Sequence, residues 1–306
     1  MMKKRGLVFA LLAATGMIAG CGNQEEEEYS FQEVKNQKFE HMHGLGYVSG
    51  GPGIVIATHD GLYSYEEGWK EAVSEKHDYM GFQATREGFF SSGHPAPGSD
   101  YKNPLGLVKS NNKGASFDQL AFYGEIDFHY LGAGYESNAI YVLNEMPINE
   151  MSAGLHYSLD EGEAWEKSAM SGFDSEFISN IAVHPKQEEM LVIGSEQGMF
   201  LSKDYGNTFE PFGEEIMVPY VTLTNDGGYY SSVVDEKVQL KSFSFTGDQV
   251  IDIPLPNENV DPIVYIASNP DDEKELVFAT HTNDLYLTSD KGSEWIKLAD
   301  KGELLK

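Results

Sequence analysis

The chain of 306 residues holds a single cysteine, Cys21, so no intrachain disulfide can form. Arginine is nearly absent, with Arg5 and Arg86 the only two. Basic residues are scarce as a class: 21 Lys and Arg stand against 49 Asp and Glu, a formal net charge of −28. Such a chain offers no basic patch to nucleic acid. Its charge favours solubility and draws cations toward the surface. No stretch carries the periodicity of a long amphipathic helix. The one extended apolar run, Gly6 to Ile18, is too short to span a bilayer as a helix.

That run sits in a recognisable setting. Lys3, Lys4 and Arg5 precede it, and Ile18-Ala19-Gly20-Cys21 closes it with small residues before the cysteine. The closing motif resembles the lipobox of bacterial lipoproteins. That resemblance implies a signal peptide over residues 1–20, acylation of Cys21 (palmitate among the chains), and a mature protein anchored by lipid to the outer side of the cell membrane. One residue carrying several acyl chains suffices for stable anchoring. Gly22 to Glu28 is polar and acidic, so residues 21–35 are expected to form a disordered tether. Without residues 1–20 the net charge becomes −31.

Beyond the tether the sequence repeats. Ser158 to Trp165, Ser202 to Phe209 and Thr288 to Trp295 share the pattern Ser/Thr-x-Asp-x-Gly-x-x-Trp/Phe. Ser110 to Phe117 repeats it with Asn112 in place of Asp, and Ser64 to Trp69 is a shortened copy. In this pattern the Asp side chain satisfies backbone amides of a turn, the Gly adopts a positive φ, and the aromatic plugs the gap between neighbouring sheets. Asn112, Asp160, Asp204 and Asp290 are therefore expected to be structural. Starting positions 64, 110, 158, 202 and 288 are separated by 46, 48, 44 and 86 residues. The last gap is two periods, which places a unit without the motif around Ser242 to Phe245. Six units of roughly 45 residues, each made of short strands, predict an all-β chain: a six-bladed β-propeller over residues 36–306, four strands per blade, with the Asp-turns on one face. Tyr29 to Val34 would add an outer strand to the last blade and close the ring.

The histidines follow the repeats. In a propeller the D–A and B–C connections share one face. His41 and His43 enter the first blade; His77, with Asp78 and Met80, enters the second; His129, after Asp127, enters the third. His59, His94 and His281 each follow a second strand, and Glu145 with Met146 holds that place in the third unit. These seven histidines and Glu145 are expected on one face near the channel mouth, where they would hold a metal or another ligand. Imidazole with carboxylate suits zinc, and added Met would suit copper. His156 and His184 fall elsewhere, the latter in an A–B turn.

The Asp-motifs resemble the Asp-boxes of BNR repeats. His41-Met-His43-Gly, Thr58-His59-Asp60-Gly, His77-Asp-Tyr-Met80, Gly93-His94-Pro95 and Asp127-Phe-His129 resemble segments of sialidase-like lipoproteins of Bacillus-like bacteria that carry a glycosyl-hydrolase label. The resemblance spans nearly the whole mature chain and implies a propeller. Sialidases clamp the sugar carboxylate with three arginines, and this chain has too few. A glycoside hydrolase of another kind needs two carboxyl groups, for which Asp60, Asp78, Asp127 and Glu145 are the candidates on the expected face. The competing expectation is a non-catalytic lipoprotein whose channel mouth binds a metal ion, a glycan or another exported protein. For the anchor, Cys21→Ser should abolish incorporation of labelled palmitate into the chain; retained label would refute the lipobox reading.

Overall fold

The computed structural model describes residues 31–34, 37–48, 53–73, 75–148, 151–246 and 249–306, so Cys21, the signal segment and most of the tether lie outside the described residues. The chain begins with β1 (Phe31–Glu33). The first blade follows as β2 (Met42–Tyr47), β3 (Ile54–Thr58), β4 (Gly61–Tyr65) and β5 (Trp69–Ala72). The second is β6 (Asp78–Thr85), β7 (Gly88–His94), β8 (Leu107–Ser110) and β9 (Asp118–Ala121). The third is β10 (Tyr130–Ala133), β11 (Ile140–Asn144), β12 (Gly154–Ser158) and β13 (Glu166–Lys167). The fourth is β14 (Ile178–Val183), β15 (Leu191–Ser195), β16 (Gly198–Ser202) and β17 (Glu210–Phe212). The fifth is β18 (Tyr220–Leu223), β19 (Gly227–Val234), β20 (Lys237–Ser244) and β21 (Val250–Ile253). The sixth is β22 (Ile263–Ser268), β23 (Leu276–Thr280), β24 (Leu285–Thr288), β25 (Ile296–Asp300) and β26 (Glu303–Leu304).

Every sheet is an antiparallel meander, and the first strands of successive blades touch in order, β2, β6, β10, β14, β18, β22 and back to β2. The six-bladed propeller expected from the repeat period is the observed fold. Two blades exceed four strands, through β1 and β26. Because each blade is covered on both faces, its second strand is mostly buried rather than alternating: β3 reads Ile-Val-Ile-Ala-Thr and all five residues are buried. The core is accordingly not one mass. It is six clusters, one in each seam between neighbouring blades.

Ring closure differs from the expected arrangement. Phe31–Glu33 pairs with β5 of the first blade, not with the last blade, so the stretch expected to be tether already enters the sheet by residue 31. The seam between sixth and first blades is joined instead by Lys38, which bridges to Glu303, and by backbone bonds from Phe39 N to Gly302 O and from Leu304 N to Gln37 O. Trp69 Nε1 donates to Leu298 O at 3.0 Å and the Tyr265 hydroxyl donates to Met42 O at 3.0 Å across the same seam. Residues 31–33 line the outer edge of their own blade, and the chain then runs past β26 to start β2.

The four Asp- or Asn-motifs lie between the third and fourth strands of their blades. In each complete copy the leading hydroxyl accepts from the Gly amide: Ser110, Ser158, Ser202 and Thr288 take Gly114, Gly162, Gly206 and Gly292 at 2.7, 2.8, 2.9 and 3.0 Å. The Asp or Asn oxygen accepts from the amide four residues on, Ser116, Ala164, Thr208 and Glu294, at 2.9 to 3.0 Å. Both the Gly and the residue before it have positive φ, for example Lys291 at 60° and Gly292 at 88°. The aromatics fill seams: Phe117, Phe209, Trp165 and Trp295 each pack against a cluster, as Trp69 does for the shortened copy. The amide of Ala164 holds the Asp160 carboxyl below the usual carboxylate range, and that of Glu294 does the same for Asp290. Partial burial works against this at Asp204, where the Thr208 amide and hydroxyl outweigh it. A carboxyl with a depressed folded-state value stabilises the protein above its unfolded value and stops doing so as pH falls through the folded value. Asn112 shows that an amide can fill the position without titrating. The triple variant Asp160→Asn, Asp204→Asn, Asp290→Asn should therefore lose less stability than wild type as pH drops below about 4, read as unfolding midpoints in urea at several pH values. Parallel acid limbs would refute this.

Candidate functional site

Two groups of histidine and carboxylate form at the face that carries the D–A and B–C connections. Each straddles a seam. In the first, His43 comes from the start of β2 and His59 from the turn after β3, both in the first blade, while Asp78 opens β6 of the second. His59 Nδ1 lies 2.7 Å from Asp78 Oδ2, and His43 Nε2 lies 3.4 Å from Asp78 Oδ1. The imidazoles of His43 and His59 meet edge to face at 4.4 Å between centroids, and His41 meets His59 the same way at 5.0 Å. His43, His59 and Asp78 can each turn one ligand atom so that all lie within 4.8 Å of one another.

The backbone explains the aim of His43. The β2–β3 register slips between Met42 and Gly44, so His43 is the extra residue of a bulge, a device that re-aims a side chain. Gly44 is required there, since a Cβ at that position would sit 2.5 Å from Phe82 Cβ across the seam. The consequence is a buried polar edge without partners. His43 Nε2 and Asp78 Oδ1 face each other, yet both are buried and neither makes a hydrogen bond. Buried polar atoms left in this state cost stability and call for an explanation. Burial pushes the His43 imidazole down to about 4 despite the pull of Asp78; the charges of His59, His41 and His129 push the same way.

The second group lies one seam on. His94 ends β7 of the second blade, and Asp127 and His129 precede β10 of the third. Asp127 Oδ2 lies 3.2 Å from His94 Nε2 and 3.5 Å from His129 Nε2, and His94 Nδ1 lies 2.6 Å from Asn103 Oδ1. Asn103 is a site neighbour that residue-type reasoning missed; only its place in the loop after His94 hinted at it.

Five of the seven expected histidines thus gather in these groups. His77 does not. It is buried in the seam, with Nδ1 accepting from Ala96 N at 2.8 Å, Nε2 2.6 Å from Glu75 Oε2, and its ring among Tyr79, Tyr101 and Phe117. The reason is strand alternation: successive side chains point opposite ways, and Asp78 takes the channel side. His281 and Glu145 are exposed in their B–C turns, and among the described residues no ring contact or ion pair joins either to the two groups. Asp60 is exposed beside His59. His184 is buried in the β14–β15 turn, as placed by the repeat.

A well-formed cavity lies elsewhere. About 320 Å³ of the channel opens toward the A–B turns and is lined by Asn180, Tyr220, Thr222, Asn225 and Tyr229, with none of the grouped histidines in its wall. No protein-family model matches the chain, and no curated protein matches it by sequence. Solved structures do match in fold. A GH74 enzyme of Niastella koreensis superposes with a TM-score of 0.58 at 15% identity, over 88% of this chain and 46% of the other. The GH74 xyloglucanase of Xanthomonas campestris gives 0.56 at 15% identity, over 89% and 47%. The tricorn protease gives 0.58 at 12% identity, over 88% and 27%. The chain therefore spans less than half the length of these structures, and the likeness establishes the propeller alone.

A histidine whose folded-state value is depressed weakens the fold in acid. The unfolded chain binds the proton near 6.5 and the folded one near 4, so stability falls as pH drops through that interval. His43→Gln should flatten the decline in urea-unfolding free energy between those values. An equal slope in wild type and variant would overturn the assignment.

Proposed function

We propose that this chain is a lipid-anchored protein of the outer side of the cell membrane whose propeller binds a transition-metal ion at the channel mouth through His43, His59 and Asp78. The observation that carries the reading is the pair of buried, unbonded atoms His43 Nε2 and Asp78 Oδ1, 3.4 Å apart. Ligands about 2.0–2.1 Å from a tetrahedral zinc ion stand about 3.3 Å from each other. A shared cation would therefore satisfy both atoms without moving the backbone. The imidazole that burial keeps neutral has its lone pair available for such an ion. Imidazole and carboxylate donors favour zinc; the soft donors Met42, beside His43 on β2, and Met80, two residues beyond Asp78 on β6, stand close by in sequence, so copper is the competitor to test. The acidic surface concentrates cations of either kind.

A glycoside-hydrolase reading has the fold likeness in its favour but less in its site. Asp78 and Asp127 are each flanked by two imidazoles, while Asp60 and Glu145 stand in solvent-exposed turns.

Zinc at about a hundred times its Kd should stabilise the metal-stripped protein by about 2.7 kcal/mol. The double variant His43→Ala, His59→Ala should show no such gain from this site, and its tight binding step should vanish in calorimetry. Failure of both zinc and copper to bind or to raise the unfolding temperature of the wild-type chain would refute the proposal.

A further inference from the structure

We propose that the end of the channel opposite the histidines binds a short neutral saccharide, in a site built around the fifth blade. The inference is independent of the metal reading, because none of the residues proposed there as ligands lines this cavity.

The cavity of about 320 Å³ is enclosed by the later residues of the first strands. Tyr47 ends β2, Ala133 ends β10, Val183 ends β14 and Ser268 ends β22, and all four line it. His43 and Asp78 stand at the starts of β2 and β6. One channel therefore has two mouths of different chemistry. Small-ligand sites usually measure about 300–1,000 Å³, so this one suits a disaccharide rather than a long chain.

The fifth blade is the unit without the Asp-motif, and it supplies an unbroken run of the wall, Tyr220–Tyr229, together with Ser242–Ser244. Its second strand also departs from the pattern: β3, β15 and β23 are buried throughout, whereas β19 is interrupted by half-buried Tyr229. Cross-strand pairing sets Thr222 beside Tyr229 and Tyr229 beside Ser242. This row lies on the face opposite Val221, Leu223 and Tyr230, which pack against the fourth blade. All three residues are half-buried and line the cavity. Among the described residues no hydrogen bond engages their hydroxyls, so three groups that can each donate and accept are left for a ligand.

The wall is fixed before binding. Asn180 Nδ2 donates to Val221 O at 2.8 Å and Asn180 Oδ1 accepts from Val221 N at 3.0 Å, which fastens the fourth blade to the fifth at the cavity edge. Tyr220, at the start of β18, is held edge to face against Tyr265 at 5.5 Å. A preorganised wall lowers the ordering cost of binding.

Charge narrows the ligand class. The wall carries Glu136, Asp226 and Glu273 against one cation, Lys291. Arg86 and Lys186 stand 3.3 and 3.5 Å from Glu136, but among the described residues no ion pair engages Asp226 or Glu273. An anionic ligand would be repelled. An amine would meet the carboxylates yet leave the hydroxyl row unmatched. A neutral saccharide gives its hydroxyls to the row and the carboxylates, and its apolar ring face to Tyr220 or Tyr229.

The test is calorimetric titration of the purified chain with cellobiose, maltose and diacetylchitobiose, using digalacturonate and spermidine as charged controls. At least one neutral disaccharide should bind, and digalacturonate should not. Thr222→Val with Ser242→Ala should weaken that binding about tenfold by removing two hydrogen bonds. Tyr229→Phe, which keeps the ring and its packing, should weaken it as well. Circular dichroism should be unchanged in both variants. The double variant His43→Ala, His59→Ala should bind the sugar as wild type does, whatever becomes of zinc. Binding of none of the three disaccharides would overturn the inference. So would sugar binding untouched by both cavity variants, digalacturonate bound as tightly as the neutral sugars, or spermidine as the sole ligand.

Discussion

Each blade of this propeller is a small twisted sheet with both faces apolar, and neither face can be left to water. That constraint organises the whole molecule. A single four-stranded blade buries little by itself, so its free energy of folding depends on two neighbours, and a row of blades is satisfied at its ends only when the ring closes. The six seam clusters are the result. Closure between first and last blades relies on an aromatic plug and several cross-seam bonds at once, Trp69 to Leu298 and Tyr265 to Met42 among them. The magnitudes rank these contributions. One hydrogen bond of an Asp-motif turn contributes about 0.5–1.5 kcal/mol, whereas truncating a buried Trp typically costs about 3–5 kcal/mol. These motifs shape turns; the aromatics behind them hold neighbouring sheets together.

The same constraint places the chemistry. Side chains from different blades meet only at seams, and at the channel mouth the seams are lined by strand entries and B–C turns. His43 and His59 find Asp78 there, and His94 finds Asp127 and His129. The packing that forms the core also supplies rigidity for these groups. Gly44 allows β2 to approach Phe82 and β6 closely, and the bulge next to it turns His43 toward its partners. The cost includes buried polar atoms without hydrogen bonds at His43, Asp78 and Asp127. Other buried histidines are satisfied: His184 is bonded by Lys186 N, Gln187 N and Asn225 O.

Much of the architecture was legible from the residues alone. The spacing of the Asp-motifs yields the number of blades, and their chemistry yields the turn geometry, because both depend on local hydrogen bonds and glycine conformations that recur with the repeat. The face carrying the histidines was legible for the same reason: strand order within a meander decides which turns share a side. That Cys21 and the apolar run before it form an export and anchoring signal is likewise an expectation of sequence, and it lies outside the described residues.

Tertiary structure alone decided which histidines belong together. His77 and Asp78 are adjacent in sequence, but strand alternation sends one into a dry aromatic seam and the other to the channel. His43 escapes that alternation only through a bulge, which depends on the close approach of Phe82. Ring closure was decided at the same level: Phe31–Glu33 has no local signal for one edge over another, and it pairs with the outer edge of the first blade. Sequence determines repeat, turn and face through interactions within a few residues. Partners across a seam are set by packing between units, and no spacing along the chain encodes them.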